Sequence, residues 1–352
     1  MTKDKEKDLK VGIIGTGGIA NGKHAPRYKA LDGVSLLAAC DIEEEKAEEF
    51  ARKYDIPHVF TDYEEMLEME ELDAVSVCTW NRAHSGPTIA ALEAGKHVHC
   101  EKPLAHNAKD ARKMVQADKN SEAILQIGLQ LHFQAGNRAL KRLAEEGFFG
   151  DIYYGRAMAM RRRGMPGRSF IEEDKAGGGC LIDIGVHILD CLLWVLGYPK
   201  PVEAFGAIDA KFGNKPDLFN PGWGDVDPDK FSVEDFGMGT IKFENGLRIT
   251  LETSWASHVK DSGKTFFIGD EAGATIDPTE IFTDDGERLL SYPPAKTELE
   301  ESGFPGQFEA FKKAILEGDP SPVPAEDVLI TSEIFDAIYQ SAEEGGSVKI
   351  EI

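Results

Sequence analysis

Positive charge, cysteine and long apolar runs are all scarce in this chain. Lys and Arg number 39 against 62 Asp and Glu, giving a formal net charge of −23. That deficit argues against nucleic acid as a partner, because phosphate contacts need clustered Lys and Arg. The five cysteines, Cys40, Cys78, Cys100, Cys180 and Cys191, form no C-x-x-C pair. They read as reduced core residues, not as a metal or dithiol centre. The N-terminus, M-T-K-D-K-E-K-D-L-K, carries both signs of charge and lacks the apolar stretch of a signal peptide. From Leu181 to Leu196 the chain is apolar except at Asp183, His187 and Asp190, a run that reads as too short to span a bilayer. A cytoplasmic protein with no membrane partner is the expectation.

What is present supports a packed core, with 41% hydrophobic residues in 352. The first part alternates strand and helix. Strand-like runs fall at 9–15, 34–41, 74–79, 97–100 and 123–128, with helices near 43–54, 85–95 and 108–117. This alternation predicts a parallel sheet covered by helices. Beyond residue 128 the pattern changes to strand-type runs at 152–161, 202–212, 234–243, 247–254 and 265–269. Asn245-Gly246 marks a hairpin between two of them. Two helices, 306–317 and 325–343, finish the chain. The fold class is α/β, with a dinucleotide-binding domain over 1–128 and an α+β domain with a mostly antiparallel sheet over 129–352, whose C-terminal helices are placed to pack back on the first domain. Residues 213–230, rich in Gly, Pro, Asn and Asp and containing Trp223, predict a long loop. That loop suits a pocket edge or a subunit contact, and it lacks the ligand spacing of a calcium loop.

The run V-G-I-I-G-T-G-G-I-A follows the first strand. Gly15, Gly17 and Ala20 fit G-x-G-x-x-[G/A], with Gly18 and Ile19 in the same turn. Such a turn brings backbone to a pyrophosphate and aims a helix N-terminus at it. Asp41 ends the second strand, where a carboxylate accepts from a ribose hydroxyl. It favours NAD over NADP, since a 2′-phosphate would meet its charge. Thr79, Trp80, Asn81 and His84 end another strand and add a second set of cofactor contacts. An ordinary polar loop is the plainer alternative there.

Glu101-Lys102-Pro103 ends the next strand and is assigned to the cofactor side as well. A lysine there can stabilise a developing alkoxide, although such a lysine is also an ordinary surface charge. Asp183 and His187, four residues apart, share one face of a helix. They read as a core pair or as a general base beside a substrate-binding carboxylate. A shared metal ion lacks further ligands, so no metal is expected. Asp190 reads as structural support. Gly177–Gly179, which open this segment, read as room for a ligand at the helix start. Arg162 and Arg163, in R-R-R-G-M-P-G-R with Arg161 and Arg168, suit a phosphate, a carboxylate or several hydroxyls.

In order, G-T-G-G-I-A, E-K-P, G-G-G-C-L-I-D-I-G-V-H-I-L-D and the tail from Phe308 to Val348 resemble the glucose–fructose oxidoreductase, inositol dehydrogenase and MocA family. The resemblance spans nearly the whole chain. Thr79-Trp80-Asn81 departs from the T-P-N common in that family. The resemblance implies a Rossmann domain, then an α+β domain whose large open sheet makes dimer or tetramer contacts. It implies hydride transfer between NAD(P) and a secondary alcohol of a sugar or cyclitol. It maps the catalytic lysine, aspartate and histidine onto Lys102, Asp183 and His187. These three residues, with Arg162 and Arg163, are also the expected substrate contacts. Two other outcomes stay open on sequence: a member that retains NAD for net hydrolysis or epimerisation, and a cofactor-binding sensor without turnover.

Overall fold

The structure is a computed structural model that describes residues 8–221, 224–294 and 303–351. Trp223 therefore lies outside the described residues. The chain forms two compact units. One comprises Met1–Ala105, Lys109–Gln130 and Glu301–Glu326; the other comprises His106–Ala108, Leu131–Glu300 and Asp327–Ile352. A late segment belongs to the first unit, so the units are not separated by a single cut in the chain.

The first unit holds six strands: β1 (Leu9–Ile14), β2 (Val34–Cys40), β3 (His58–Phe60), β4 (Ala74–Val77), β5 (His97–Cys100) and β6 (Leu125–Ile127). Their order is β3-β2-β1-β4-β5-β6, and every pairing is parallel. Ala-Val-Ser-Val of β4 is buried throughout, as a central parallel strand covered on both faces must be. The order reverses between β1 and β4, which opens a ligand crevice at the carboxyl ends of those strands. The edge strand β3 has three residues and no buried position, too little for periodicity to reveal it. Phe308 and Phe311, on the helix Phe304–Glu317, are fully buried against Leu9, Ile13, Tyr28 and Phe50.

The second unit is built on a ten-stranded sheet. Its strands are β7 (Ile152–Met160), β8 (Pro201–Asp209), β9 (Phe236–Phe243), β10 (Arg248–Ser254), β11 (Ser262–Gly263), β12 (Phe266–Gly269), β13 (Gly273–Thr275), β14 (Glu280–Asp284), β15 (Leu289–Tyr292) and β16 (Val348–Lys349). The order is β15-β14-β13-β12-β7-β10-β9-β8-β16, with β11 on β7. Among the described strands of this sheet only the β7–β10 pair is parallel, so the sheet is mixed but largely antiparallel. Asn245-Gly246 makes the predicted turn: Gly246 has φ +94°, and Asn245 Oδ1 accepts the Leu247 amide at 3.2 Å.

The apolar segment is longer than its sequence suggested. Glu173–Val195 spans 23 residues and is long and apolar enough to cross a membrane by length and composition. This corrects the expectation of a run too short to do so. Its apolar window is 78% buried inside the protein, as a core helix would be.

Candidate active site

In the first unit, β1 ends at a glycine turn. Gly15 has φ +87°, and a Cβ there would lie 2.8 Å from the Cys78 backbone after β4. Any side chain would meet both left-handed strain and the neighbouring strand. Gly17 and Gly18 are exposed, and a Cβ on either meets nothing within 4 Å. Their outer face is open backbone, the surface a pyrophosphate needs. Ile19 is half-buried against the core, and Ala20 is fully buried. Asp41 Oδ2 accepts the Thr16 amide and hydroxyl, each at 2.9 Å, and Oδ1 accepts the Glu43 amide at 3.1 Å. The carboxylate is thus pinned to the glycine turn and half-exposed, with lone pairs left for a ribose.

After β4, Thr79 Oγ1 is buried without a hydrogen-bond partner among the described residues. An orphan hydroxyl at the end of a central strand is a place where a ligand can supply the missing bond. Trp80 is exposed and Asn81 half-buried. His84 differs from its expected role. It is fully buried, with Nδ1 at 2.7 Å from the Pro103 carbonyl and Nε2 at 3.2 Å from the Thr79 carbonyl. A neutral imidazole carries one N–H, so it donates to one of these two carbonyls. His84 braces the turn after β4 against the turn after β5, its ring enclosed by protein. Burial lowers its pKa, outweighing those carbonyls.

Glu101-Lys102-Pro103 turns the chain after β5, and the Lys102–Pro103 bond is cis. Lys102 is half-buried. Glu101 also departs from expectation, since its side chain points inward. It is 6% exposed, with Oε1 at 2.7 Å from His24 Nε2 and Oε2 accepting the Lys102 amide at 3.2 Å. Burial alone would raise this carboxyl, but His24 and then Lys102 hold it down to about 2.

The second unit carries Asp183 and His187. The helix Val186–Val195 is preceded by one π turn, Leu181–Gly185, and Asp183 lies in that turn. Both residues are half-buried in a segment that is mostly buried. Trp255, fully buried, donates its indole N–H to Asp183 Oδ2 at 3.0 Å. Asp190 is fully buried and accepts from His132 at 2.6 Å, Tyr198 at 2.9 Å and Thr331 at 3.2 Å. Three partners occupy both of its oxygens and no surface of it is exposed, which makes it structural.

The glycines before this helix serve a different purpose from room for a ligand. A Cβ on Gly179 would collide with the Glu234 carbonyl oxygen, and one on Gly178 with the Tyr339 hydroxyl. They admit protein, not ligand. Glu234, 4% exposed, accepts the Gly179 amide at 2.8 Å, the Leu181 amide at 2.9 Å and the Tyr339 hydroxyl at 3.0 Å. An acidic group at a helix start satisfies free N–H groups and opposes the dipole. Burial raises Glu234 to about 7 despite those donors. No local motif pointed to this residue, because it enters from just before β9.

The arginines sort unevenly. The Arg162 amide bonds the Asp261 carboxylate and its side chain is exposed. Arg163 donates to the Ser257 carbonyl at 2.7 Å, and its guanidinium sits 5.0 Å over the Phe212 ring. Neither bond engages Asp183. The charge of Arg161 interacts with Asp183, and Arg161 donates to the Gly164 carbonyl at 2.9 Å. Burial lowers its pKa. Sequence singled out the triple-arginine run but not this member, since β-strand register decides which side chain turns inward. Met165, Phe231 and Trp255 form a buried cluster, with Phe212 and, from the long loop, Leu218 and Val226 packed on it.

Comparison with known proteins finds relatives along nearly the whole chain. Residues 9–129 match an oxidoreductase family with an NAD-binding Rossmann fold, and residues 137–275 match the GFO/IDH/MocA C-terminal domain. A D-glucoside 3-dehydrogenase of Escherichia coli is 36% identical over 97% of this chain and 97% of its own. A myo-inositol 2-dehydrogenase of Thermotoga maritima is 28% identical over 97% and 99%. The crystal structure of an aldose-aldose oxidoreductase from Caulobacter crescentus, complexed with glycerol, superposes with a TM-score of 0.82. It is 26% identical and covers 98% of this chain and all of that one.

Proposed function

Because the chain belongs to the GFO/IDH/MocA oxidoreductase family, we propose that it oxidises a secondary alcohol of a sugar or cyclitol with NAD, reversibly. D-glucosides are the first substrates to try, given the relative named for them. The observation that carries the cofactor reading is the Asp41 carboxylate pinned to the glycine turn. That placement supports NAD over NADP, since a 2′-phosphate would approach a fixed negative charge.

NAD, when bound, supplies the hydride acceptor. The chain supplies binding, orientation and proton handling. Gly15, Gly17, Gly18 and Ile19 present backbone to the pyrophosphate. Asp41 accepts from the ribose, and Thr79, Trp80 and Asn81 complete the contacts. His187 takes the proton of the reacting hydroxyl as general base. Lys102 donates a hydrogen bond to the same oxygen and stabilises its developing charge. Asp183 accepts from a neighbouring substrate hydroxyl, its geometry fixed by the Trp255 indole. Arg162 and Arg163 stand as outer substrate contacts. The assembly is a homodimer or homotetramer through the second unit's sheet, and the enzyme works in the cytoplasm.

The test is a panel of D-glucosides, aldoses, inositols and uronates, read by NADH absorbance and repeated with NADP. Release of NADH in step with oxidised sugar is expected. Lys102→Met and His187→Gln should each lower kcat about 100-fold or more while NADH still binds. Full turnover in either variant would remove that residue from the chemistry.

A further inference from the structure

Lys102 owes its position to more than its own turn. The carboxylate of Glu101 folds back on the Lys102 amide at 3.2 Å, and the other oxygen of that carboxylate lies 2.7 Å from His24 Nε2. On its far side, His24 Nδ1 lies 2.6 Å from Ser76 Oγ on β4. His24 is fully buried, and the Phe308 ring meets it edge-on with centroids 5.0 Å apart. Gly128, just after β6, leaves space beside this carboxylate: a Cβ there would lie 3.3 Å from Glu101 Oε1.

The helix that follows the glycine turn brings His24 there. It contains one π turn, Ala20–His24, closed by the Ala25 amide on the Ala20 carbonyl. Pro26, which has no backbone N–H, follows directly. A π turn adds a residue per turn and re-aims side chains, and such turns cluster at functional sites. Here it aims the imidazole inward. The network is closed at every ring nitrogen and carboxylate oxygen named, which makes it rigid.

We infer that His24 is a positioning residue for Lys102, acting through Glu101 and tying the lysine turn to the helix that opens the nucleotide site. This rests on the reading of Lys102 as a group that touches the reacting oxygen. His24 itself touches neither sugar nor nucleotide.

The experiment compares His24→Leu, His24→Gln and Glu101→Gln with the wild type on the best sugar of the panel. The readouts are kcat, KM, NADH affinity by fluorescence, and the isotope effect from substrate deuterated at the reacting carbon. Misplacing the lysine should lower kcat roughly 10-fold to 100-fold in H24L. NADH affinity should stay within about twofold, and the isotope effect should grow, because a misplaced lysine slows the chemical step itself. H24Q, which keeps a donor toward Glu101, should recover most of kcat. A purely structural defect would lower the active fraction and leave KM and isotope effect untouched, with no rescue by glutamine; that outcome overturns the inference. If H24L does not fold, E101Q carries the test. Its amide cannot accept from both neighbours, so the same loss of kcat is expected and wild-type kcat overturns the inference. Turnover retained by K102M instead sinks the reading of Lys102. Turnover lost in K102M but kept in H24L and E101Q sinks the inference alone.

Discussion

Two buried glutamates show how the same side chain is pulled in opposite directions. Glu101 has His24 beside it and is held down to about 2. Glu234 has only neutral donors, and burial lifts it to about 7. Their effects on stability therefore have opposite signs. Glu101 favours the fold above its ordinary value of 4.5, and that contribution is lost as pH falls toward 2. Glu234 binds its proton more tightly folded than unfolded. Its contribution is full below 4.5 and is lost as pH rises through about 7. The melting temperature should thus fall between about pH 5 and pH 8, and E234Q should lack that part of the slope. An equal slope in the variant, followed by circular dichroism, would assign the effect to other groups.

At the scale of elements, the two glycine-led helices look alike in sequence and differ in what the glycines clear. Gly17 faces open space, whereas Gly179 faces the Glu234 backbone. Gly17→Ala should leave the melting temperature nearly unchanged and weaken NADH binding, measured by fluorescence titration. Gly179→Ala should destabilise the fold by about 3 kcal/mol or more, because backbone must move to admit the methyl group. If G179A melts like the wild type and binds sugar less well, the glycine clears a ligand after all. The first helix could be read from sequence because its partners are local: a strand, a turn, and an acid one strand away. The second could be read only for its polar stripe. Glu234, Trp255 and Tyr339 reach it from distant strands and a helix, and no spacing rule encodes that. Very short strands escape sequence reading for a related reason. β13 has three residues and β15 four, with little buried alternation to betray them. The long parallel and hairpin strands, by contrast, carry continuous apolar runs or a turn dipeptide.

For the whole molecule, the notable fact is that the first unit is discontinuous in sequence. Residues Glu301–Glu326 belong to it, and Phe308 and Phe311 fill the space beside Tyr28, His24 and His99. Expressed alone, residues 1–130 would expose that apolar surface. Such a fragment should show a broad, low-temperature melt and bind the dye ANS, as loosely packed states do. Adding residues 301–326 as a second chain or by a linker should sharpen the melt. A fragment that melts cooperatively without them would show the two phenylalanines to be dispensable.

The same arrangement has a meaning during synthesis. Translation delivers all six parallel strands first, then Leu131–Glu300, and only afterwards the helix that closes the first hydrophobic core. The cofactor-binding half of a newborn chain must therefore wait, unfinished, while the ribosome makes most of the other half. Domains made N-terminal first usually fold as they emerge. Here the earliest part to be made is among the last to be completed, and during that interval it is the part most in need of a chaperone.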